Sequence, residues 1–264
     1  MAIRVLVSGT GKMGREVLAA VCRAEDLEPA GVVDLFAKGD SIELPDGSGV
    51  VPFGPDAPML IGETTPDVAV DFSNAEWTPL LAEAALSAGV RLVIGTSGLM
   101  PEFVQHLAEE CERKKLGVAV VPNFALGAVL MQHMAKTAAR FYDSAEIIEL
   151  HHDQKVDAPS GTAIATAKEM AEARGKSLVR PPTARETIAG TRGAEVGGVT
   201  VHSVRLPGLL AHQEVILGSP GELLTIRHDT LGRESFMPGV LLAIRHVMAH
   251  PGLVLGLERL IGLQ

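Results

Sequence analysis

Aromatic residues are scarce in this chain: one Trp, one Tyr and seven Phe amount to 3% of 264 residues, so the core must rest on Val, Leu, Ile and Ala. Cysteine is nearly absent. Cys22 and Cys111 lie far apart in no metal-ligand spacing, which fits a reducing compartment without a disulfide framework and gives no reason to expect a metal site. Positive charge is in deficit: 23 Lys and Arg against 32 Asp and Glu leave a net charge of −9, which argues against nucleic acid as the main partner. A few local cations could still hold a small acidic ligand. No uninterrupted apolar stretch reaches the length of a membrane span, and the opening run enters a strand pattern at once. Neither a membrane segment nor a signal peptide is therefore expected, and the cytoplasm is the default location.

What is present is a folded composition, 47% hydrophobic and 21% charged, on a chain long enough for two modest domains. From Ile3 to about Val121, short β-branched runs alternate with longer helical patterns, the signature of βαβ units building a parallel sheet. Strands are predicted at Ile3–Ser8, Ala30–Asp34, Val68–Phe72, Arg91–Ile94 and Val118–Val121, and helices at Arg15–Arg23, Thr78–Ser87 and Pro101–Lys115. The Gly-, Pro- and acid-rich segment Gly39–Thr65 breaks the alternation and reads as a long surface excursion, with one short strand near Val50–Phe53. After Ala125 the rhythm changes to helix, strand, polar loop and helix, then the strands Thr200–Arg205, Gln213–Leu217 and Glu222–Arg227. The expected class is α/β: a Rossmann-like doubly wound parallel sheet followed by an α+β domain with a mixed sheet. Residues 1–124, completed by a final helical stretch in 235–264, would form the dinucleotide-binding domain, and 125–234 the substrate-binding and oligomerisation domain.

Between the first predicted strand and helix lies Gly9-Thr10-Gly11-Lys12-Met13-Gly14, a G-x-G-x-x-G motif. Its glycines allow a tight turn, close backbone approach to a pyrophosphate and close packing of helix on strand. The helix N-terminus adds free N–H donors. Asp34 ends the second strand twenty residues after Gly14, where an acid commonly bonds the adenosine ribose hydroxyls. That placement favours NADH, while Lys12 or Lys38 could offset repulsion of a 2′-phosphate and leave NADPH open.

A second concentration of chemistry is His151-His152-Asp153-Gln154-Lys155-Val156-Asp157-Ala158-Pro159-Ser160-Gly161-Thr162, joining a strand to a helix. Ser160 or a near neighbour is placed to cap the helix, and the backbone N–H groups of Gly161 and Thr162 make a natural carboxylate site. Lys155 adds a positive charge able to hold a second carboxylate or deliver a proton, and His151 and His152 titrate near neutral pH. Adjacent residues on a strand point to opposite faces, so the two histidines do not form a simple metal chelate. Local chemistry alone also fits a surface histidine pair beside an ordinary cap.

Together, the Gly9–Gly14 loop and the runs Val70-Asp71-Phe72-Ser73, Gly95-Thr96-Ser97-Gly98 and Pro122-Asn123-Phe124-Ala125-Leu126-Gly127 resemble the 4-hydroxy-tetrahydrodipicolinate reductase family. The block Glu149–Thr162 is the most specific part of the resemblance. His202-Ser203-Val204-Arg205, Ala211-His212-Gln213-Glu214 and Ile226-Arg227-His228-Asp229 extend it, especially toward actinobacterial-type members. The resemblance implies that His151 donates or accepts a proton, that Lys155 donates one, and that His152, Ser160, Gly161 and Thr162 contact a small dicarboxylate substrate. It further implies that Gly9 to Gly14, Asp34, Phe72, Gly95, Thr96, Ser97, Val121, Pro122, Asn123 and Phe124 line NADH or NADPH, and that the assembly is a homotetramer. Two departures stand out: Ser97 replaces a common second Thr and keeps its hydroxyl, and Leu35 stands where a basic residue commonly follows the acid. Another two-domain dehydrogenase and a non-catalytic nucleotide sensor are the rival readings.

Overall fold

The computed structural model describes residues 2–263. In chain order its elements are β1 (Ile3–Ser8), α1 (Lys12–Arg23), β2 (Leu27–Val33), β3 (Ser41–Glu43), β4 (Val50–Gly54), α2 (Ala57–Thr64), β5 (Val68–Asp71), α3 (Thr78–Ser87), β6 (Arg91–Ile94), α4 (Pro101–Lys114) and β7 (Gly117–Val120). There follow α5 (Leu126–Ala139), β8 (Ser144–His151), α6 (Gly161–Arg174), β9 (Ala194–Val196), β10 (Val199–Arg205), β11 (Ala211–Ser219) and β12 (Glu222–Thr230). The last elements are α7 (Met237–Ala249), β13 (Gly252–Leu255) and α8 (Leu257–Leu260). None of the helices among the described residues is long and apolar enough to cross a membrane.

The chain divides into two compact units, one running to Leu126 and resuming at Phe236, the other Gly127–Ser235. In the first, the strand order is β13-β7-β6-β5-β1-β2-β4-β3, parallel throughout except for the β3–β4 pair. The central strands are apolar runs with both faces covered: every residue of β5 is buried, as are the last four of β1. This is the pattern that helices on both faces of a parallel sheet require. α1 buries Val17, Leu18, Ala20 and Val21, while Leu81, Ile94, Leu107 and Cys111 belong to one continuous core cluster. Strand order reverses between β1 and β5, which puts the ends of those strands at the place where such sheets bind ligands.

Three local features differ from the sequence reading. The Gly39–Thr65 excursion is structured: β3, β4 and α2 lie within it, and α2 is started by Asp56, whose carboxylate accepts the Met59 N–H at 2.9 Å. α1 begins at Lys12 rather than Arg15, because the glycine motif itself supplies its first turn. The C-terminal stretch adds β13, paired in parallel with β7, after the helix that was expected there.

The second unit is a five-stranded mixed sheet, β12-β11-β8-β10-β9, in which only the β8–β10 pair is parallel. β8 alternates half-buried and buried residues, and its inward Ile147 joins Met131, Met170 and Leu217 in a core closed by α5 and α6.

Candidate active site

In the first unit, Gly9 follows β1 with φ +97°, a backbone that side chains rarely adopt, and a Cβ there would stand 3.0 Å from the Phe72 carbonyl oxygen. A Cβ on Gly14 would overlap the Gly9 carbonyl, so the third glycine is what allows α1 to close onto the loop. Gly11, by contrast, faces open space. It also caps α1 without a side chain, and no acid sits in the helix's first turn, which leaves the first N–H groups and the favourable end of the dipole to an outside anion. These are the properties that a dinucleotide pyrophosphate needs, so the loop fits that group.

A recess of about 200 Å³ opens beside the loop, bounded by Gly9–Gly11, Asp34–Phe36, Phe72–Asn74 and Trp77. Asp34 Oδ2 accepts the Thr10 N–H at 2.7 Å and the Thr10 hydroxyl at 2.5 Å, while Oδ1 accepts the Phe36 N–H at 2.9 Å. Burial opposes its ionisation, but these hydrogen bonds outweigh it and hold the carboxyl below its ordinary range. No Lys or Arg lines the recess; Leu35 and Phe36, 53% and 80% exposed, stand there instead. Lys12, Met13, Gly14, Gly95–Ser97 and Val121–Phe124 lie outside its lining. Two of them are nonetheless packed on it: Phe124 meets Phe72 with ring centroids 5.3 Å apart, and a Cβ on Gly95 would overlap the Phe72 ring. Val121 is buried, Pro122 exposed, and the Asn123 Oδ1 accepts the Ala125 N–H at 2.9 Å. Thr96 is turned inward with its hydroxyl on buried Asp71, whereas Ser97 is exposed.

In the second unit the connection from β8 to α6 is organised by Glu149, which is fully buried. Its Oε2 lies 2.5 Å from His151 Nδ1 and 2.9 Å from Arg205 NH1; its Oε1 accepts from Arg205 NH2 at 2.8 Å and from the Ser160 N–H at 3.3 Å. Arg205 NH2 also donates to the Asp157 carbonyl at 2.7 Å, so one carboxylate and one guanidinium pin both ends of the loop. Burial pushes the His151 ring below its ordinary pKa; Glu149 opposes this, and the charges of Lys155 and Arg205 reinforce it. Burial likewise opposes the charge on Glu149, but the bonds from Arg205 and His151 prevail and hold it below the usual range. With Nδ1 engaged, Nε2 is the ring atom left to face a substrate.

Ser160 caps α6 by accepting the Ala163 N–H at 3.2 Å. Ahead of it the N–H groups of Gly161 and Thr162 make no hydrogen bond among the described residues, and Gly161 faces open space. Lys155 Nζ pairs with Asp157 Oδ1 at 2.6 Å. His152 is half-buried, and its carbonyl accepts the Lys155 N–H at 3.2 Å in the turn between them. The connection therefore carries His151, Lys155 and the first N–H groups of α6 between β8 and α6.

The family profile described as "Dihydrodipicolinate reductase, N-terminus" matches residues 3–124, and that for the C-terminus of the same family matches residues 127–261. The chain belongs to the dihydrodipicolinate reductase family. A protein of Dehalococcoides mccartyi named 4-hydroxy-tetrahydrodipicolinate reductase is 48% identical over 262 residues, covering 99% of either chain. One of the same name from Geobacillus kaustophilus is 48% identical over 264 residues, covering 99% of this chain and all of that one. Among solved structures, the dipicolinate-bound dihydrodipicolinate reductase of Paenisporosarcina sp. TG-14 is 43% identical with a TM-score of 0.89, covering 98% of this chain and 99% of that one.

Within this reductase fold, two residues of the constellation were missed from sequence as members of the site: Glu149 and Arg205. A signal for the first existed. Residues two apart on a strand share a face, so Glu149 had to stand beside His151. Arg205 reaches the site through the β8–β10 register, which pairs it directly with His151 across 54 residues of chain (205 − 151). Nothing local announces that pairing.

Proposed function

We propose that this reductase adds a hydride and a proton to 4-hydroxy-tetrahydrodipicolinate, or to its dehydrated ring, giving tetrahydrodipicolinate for diaminopimelate and lysine synthesis in the cytoplasm. Water leaves when the hydroxylated ring is the starting form. The observation that carries the reading is the β8–α6 connection, which carries a histidine held on Glu149, a lysine and two helix N–H groups without a partner among the described residues. Support comes also from full-length relatives bearing the reductase name and from the dipicolinate, a planar ring dicarboxylate, bound to the Paenisporosarcina enzyme.

The nicotinamide cofactor, NADH or NADPH, supplies the hydride when bound. The pyrophosphate is assigned to the Gly9–Gly14 loop, including Thr10, Lys12 and Met13, and the ribose to Asp34; Phe72 and, beyond the recess, Gly95–Ser97 and Val121–Phe124 are assigned to the rest of the cofactor. A charged Asp34 followed by Leu35, with no basic residue in the recess, favours NADH over the 2′-phosphorylated form. On the substrate side, the Gly161 and Thr162 N–H groups receive one carboxylate, with Ser160 fixing their direction, and Lys155 and His152 contact the rest of the ring. Lys155 donates the balancing proton. His151 is neutral at pH 7 once its pKa is depressed, so it serves by orienting and relaying through Nε2 rather than as the standing acid. The second unit is also assigned the assembly of a homotetramer: β12 is an edge strand of the sheet and carries Leu223, 75% exposed.

The test follows absorbance at the nicotinamide band for NADH and NADPH in turn, with substrate generated in place from pyruvate and aspartate semialdehyde by the condensing synthase. Oxidation that requires both proteins, faster with NADH, is expected. Nucleotide binding without oxidation on this substrate would return the chain to the other-dehydrogenase or sensor readings.

A further inference from the structure

Asp71 ends β5, is fully buried, and makes no hydrogen bond to a Lys, Arg or His side chain among the described residues. Its Oδ1 accepts the hydroxyls of Ser8 at 2.7 Å and Ser73 at 2.6 Å, and its Oδ2 those of Thr78 at 2.5 Å and Thr96 at 2.9 Å. An ionised carboxylate is purely an acceptor with about four lone-pair directions, and four hydroxyls occupy them. The polarity of one tether is fixed from outside: the Trp77 indole, which can only donate, gives its N–H to Ser8 Oγ at 3.0 Å, so the Ser8 proton must point at Asp71.

The partners' positions give this network its meaning. Ser8 precedes Gly9, Ser73 follows Phe72 in the wall of the nucleotide recess, and Thr96 lies between Gly95 and Ser97. Thr78 opens α3 beside Trp77, a further wall residue. One carboxylate thus ties the loops after β1, β5 and β6 to each other, where Gly9 and Gly95 already stand close against Phe72. We propose that Asp71 is a positioning residue for the dinucleotide: its tethers set the spacing of the three loops on which the cofactor lies, and no atom of Asp71 need touch the cofactor. The inference rests on the cofactor reading above and is independent of which ring is reduced.

Asp71→Asn keeps the shape but turns one acceptor into two donors. Thr78 has another acceptor, the Asn74 carbonyl at 2.9 Å, and can rotate to receive the amide; Ser8 cannot reverse without losing Trp77. The amide therefore settles toward Thr78 and Thr96, and the Thr96 hydroxyl loses its carboxylate acceptor, which weakens the tether of its loop. The test titrates NADH into wild type, Asp71→Asn and Asp71→Ala, read by quenching of Trp77, the chain's single tryptophan, alongside the KM of each substrate. The Asn variant should bind NADH about tenfold more weakly and the Ala variant more weakly still, with KM for the ring substrate unchanged in Asp71→Asn. Thr96→Val should weaken NADH binding alone but add little to Asp71→Asn. Wild-type NADH affinity in Asp71→Asn, or loss of NADH affinity and ring-substrate KM in equal proportion, would overturn the proposal, and the Asn variant decides if the Ala variant does not fold. Absence of NADH binding by wild type would remove the cofactor reading and this inference together, whereas binding without turnover removes only the substrate assignment.

Discussion

Each unit of the molecule buries a carboxylate at or near the end of a strand, and the two are satisfied in opposite ways. Asp71 is surrounded by neutral hydroxyls, whereas Glu149 is held by a guanidinium, an imidazole and a backbone N–H. Hydroxyl tethers fix positions without bringing a titrating partner, which suits a cradle for a cofactor. Ionic tethers set a charge balance: Arg205 and His151 share one carboxylate, so the state of the ring depends on how much of that charge the guanidinium takes. Under the proposed reading, the first arrangement serves binding and the second proton chemistry.

The sharpest way to break this division is Lys155→Ala. Turnover should fall by about two to four orders of magnitude while NADH affinity stays near wild type, since proton donation is lost and the first unit is untouched. Steady-state rates beside a binding titration check it; normal turnover would remove Lys155 from the chemistry. Next in size, Glu149→Ala deprives Arg205 of its carboxylate partner and the Ser160 N–H of its acceptor, and should cost about 3 kcal/mol of stability, read from chemical denaturation. Glu149→Ala should also loosen the β8–α6 connection without weakening NADH.

In the first unit, Gly14→Ala should weaken NADH about tenfold or more because the added methyl overlaps the Gly9 carbonyl and pries α1 from the loop; calorimetric titration checks it. The smallest effect is on pH. A His151 pKa below its unfolded value means that the unfolded chain takes up the proton first on acidification. Stability from the neutral ring is therefore full above about pH 6.5 and is lost as pH falls toward the folded value. Glu149, depressed as well, adds a second loss below about pH 4.5. Melting temperatures between pH 8 and pH 5 should decline in wild type and decline less in His151→Gln; equal slopes would contradict the assignment.

Much of this comparison was legible in the residues, for identifiable reasons. Parallel strands buried on both faces are near-continuous apolar runs, so β1, β5 and β6 announced themselves, and Pro101 marked the start of α4. The Gly9–Gly14 and His151–Thr162 segments are contiguous, so their chemistry was visible without a fold. α2 was missed although Ala57, Leu60, Ile61 and Thr64 repeat at helical spacing behind Asp56, because eight residues inside a Gly- and Pro-rich stretch give a weak pattern. β13, four residues that begin with Gly252, was hidden for a different reason: its strand character depends on pairing with β7, more than a hundred residues earlier. Arg205 and the partners of Asp71 depended in the same way on strand register. Individual motifs can be read locally; the groups that hold them in place are assembled by topology.

The most direct test of the division between units is to measure dipicolinate and NADH affinity on the same preparations of wild type and Lys155→Ala, the first by calorimetry and the second by Trp77 emission. The account predicts dipicolinate weakened by about tenfold or more with NADH affinity unchanged. Unaltered dipicolinate binding, or a parallel loss of both ligands, would contradict it.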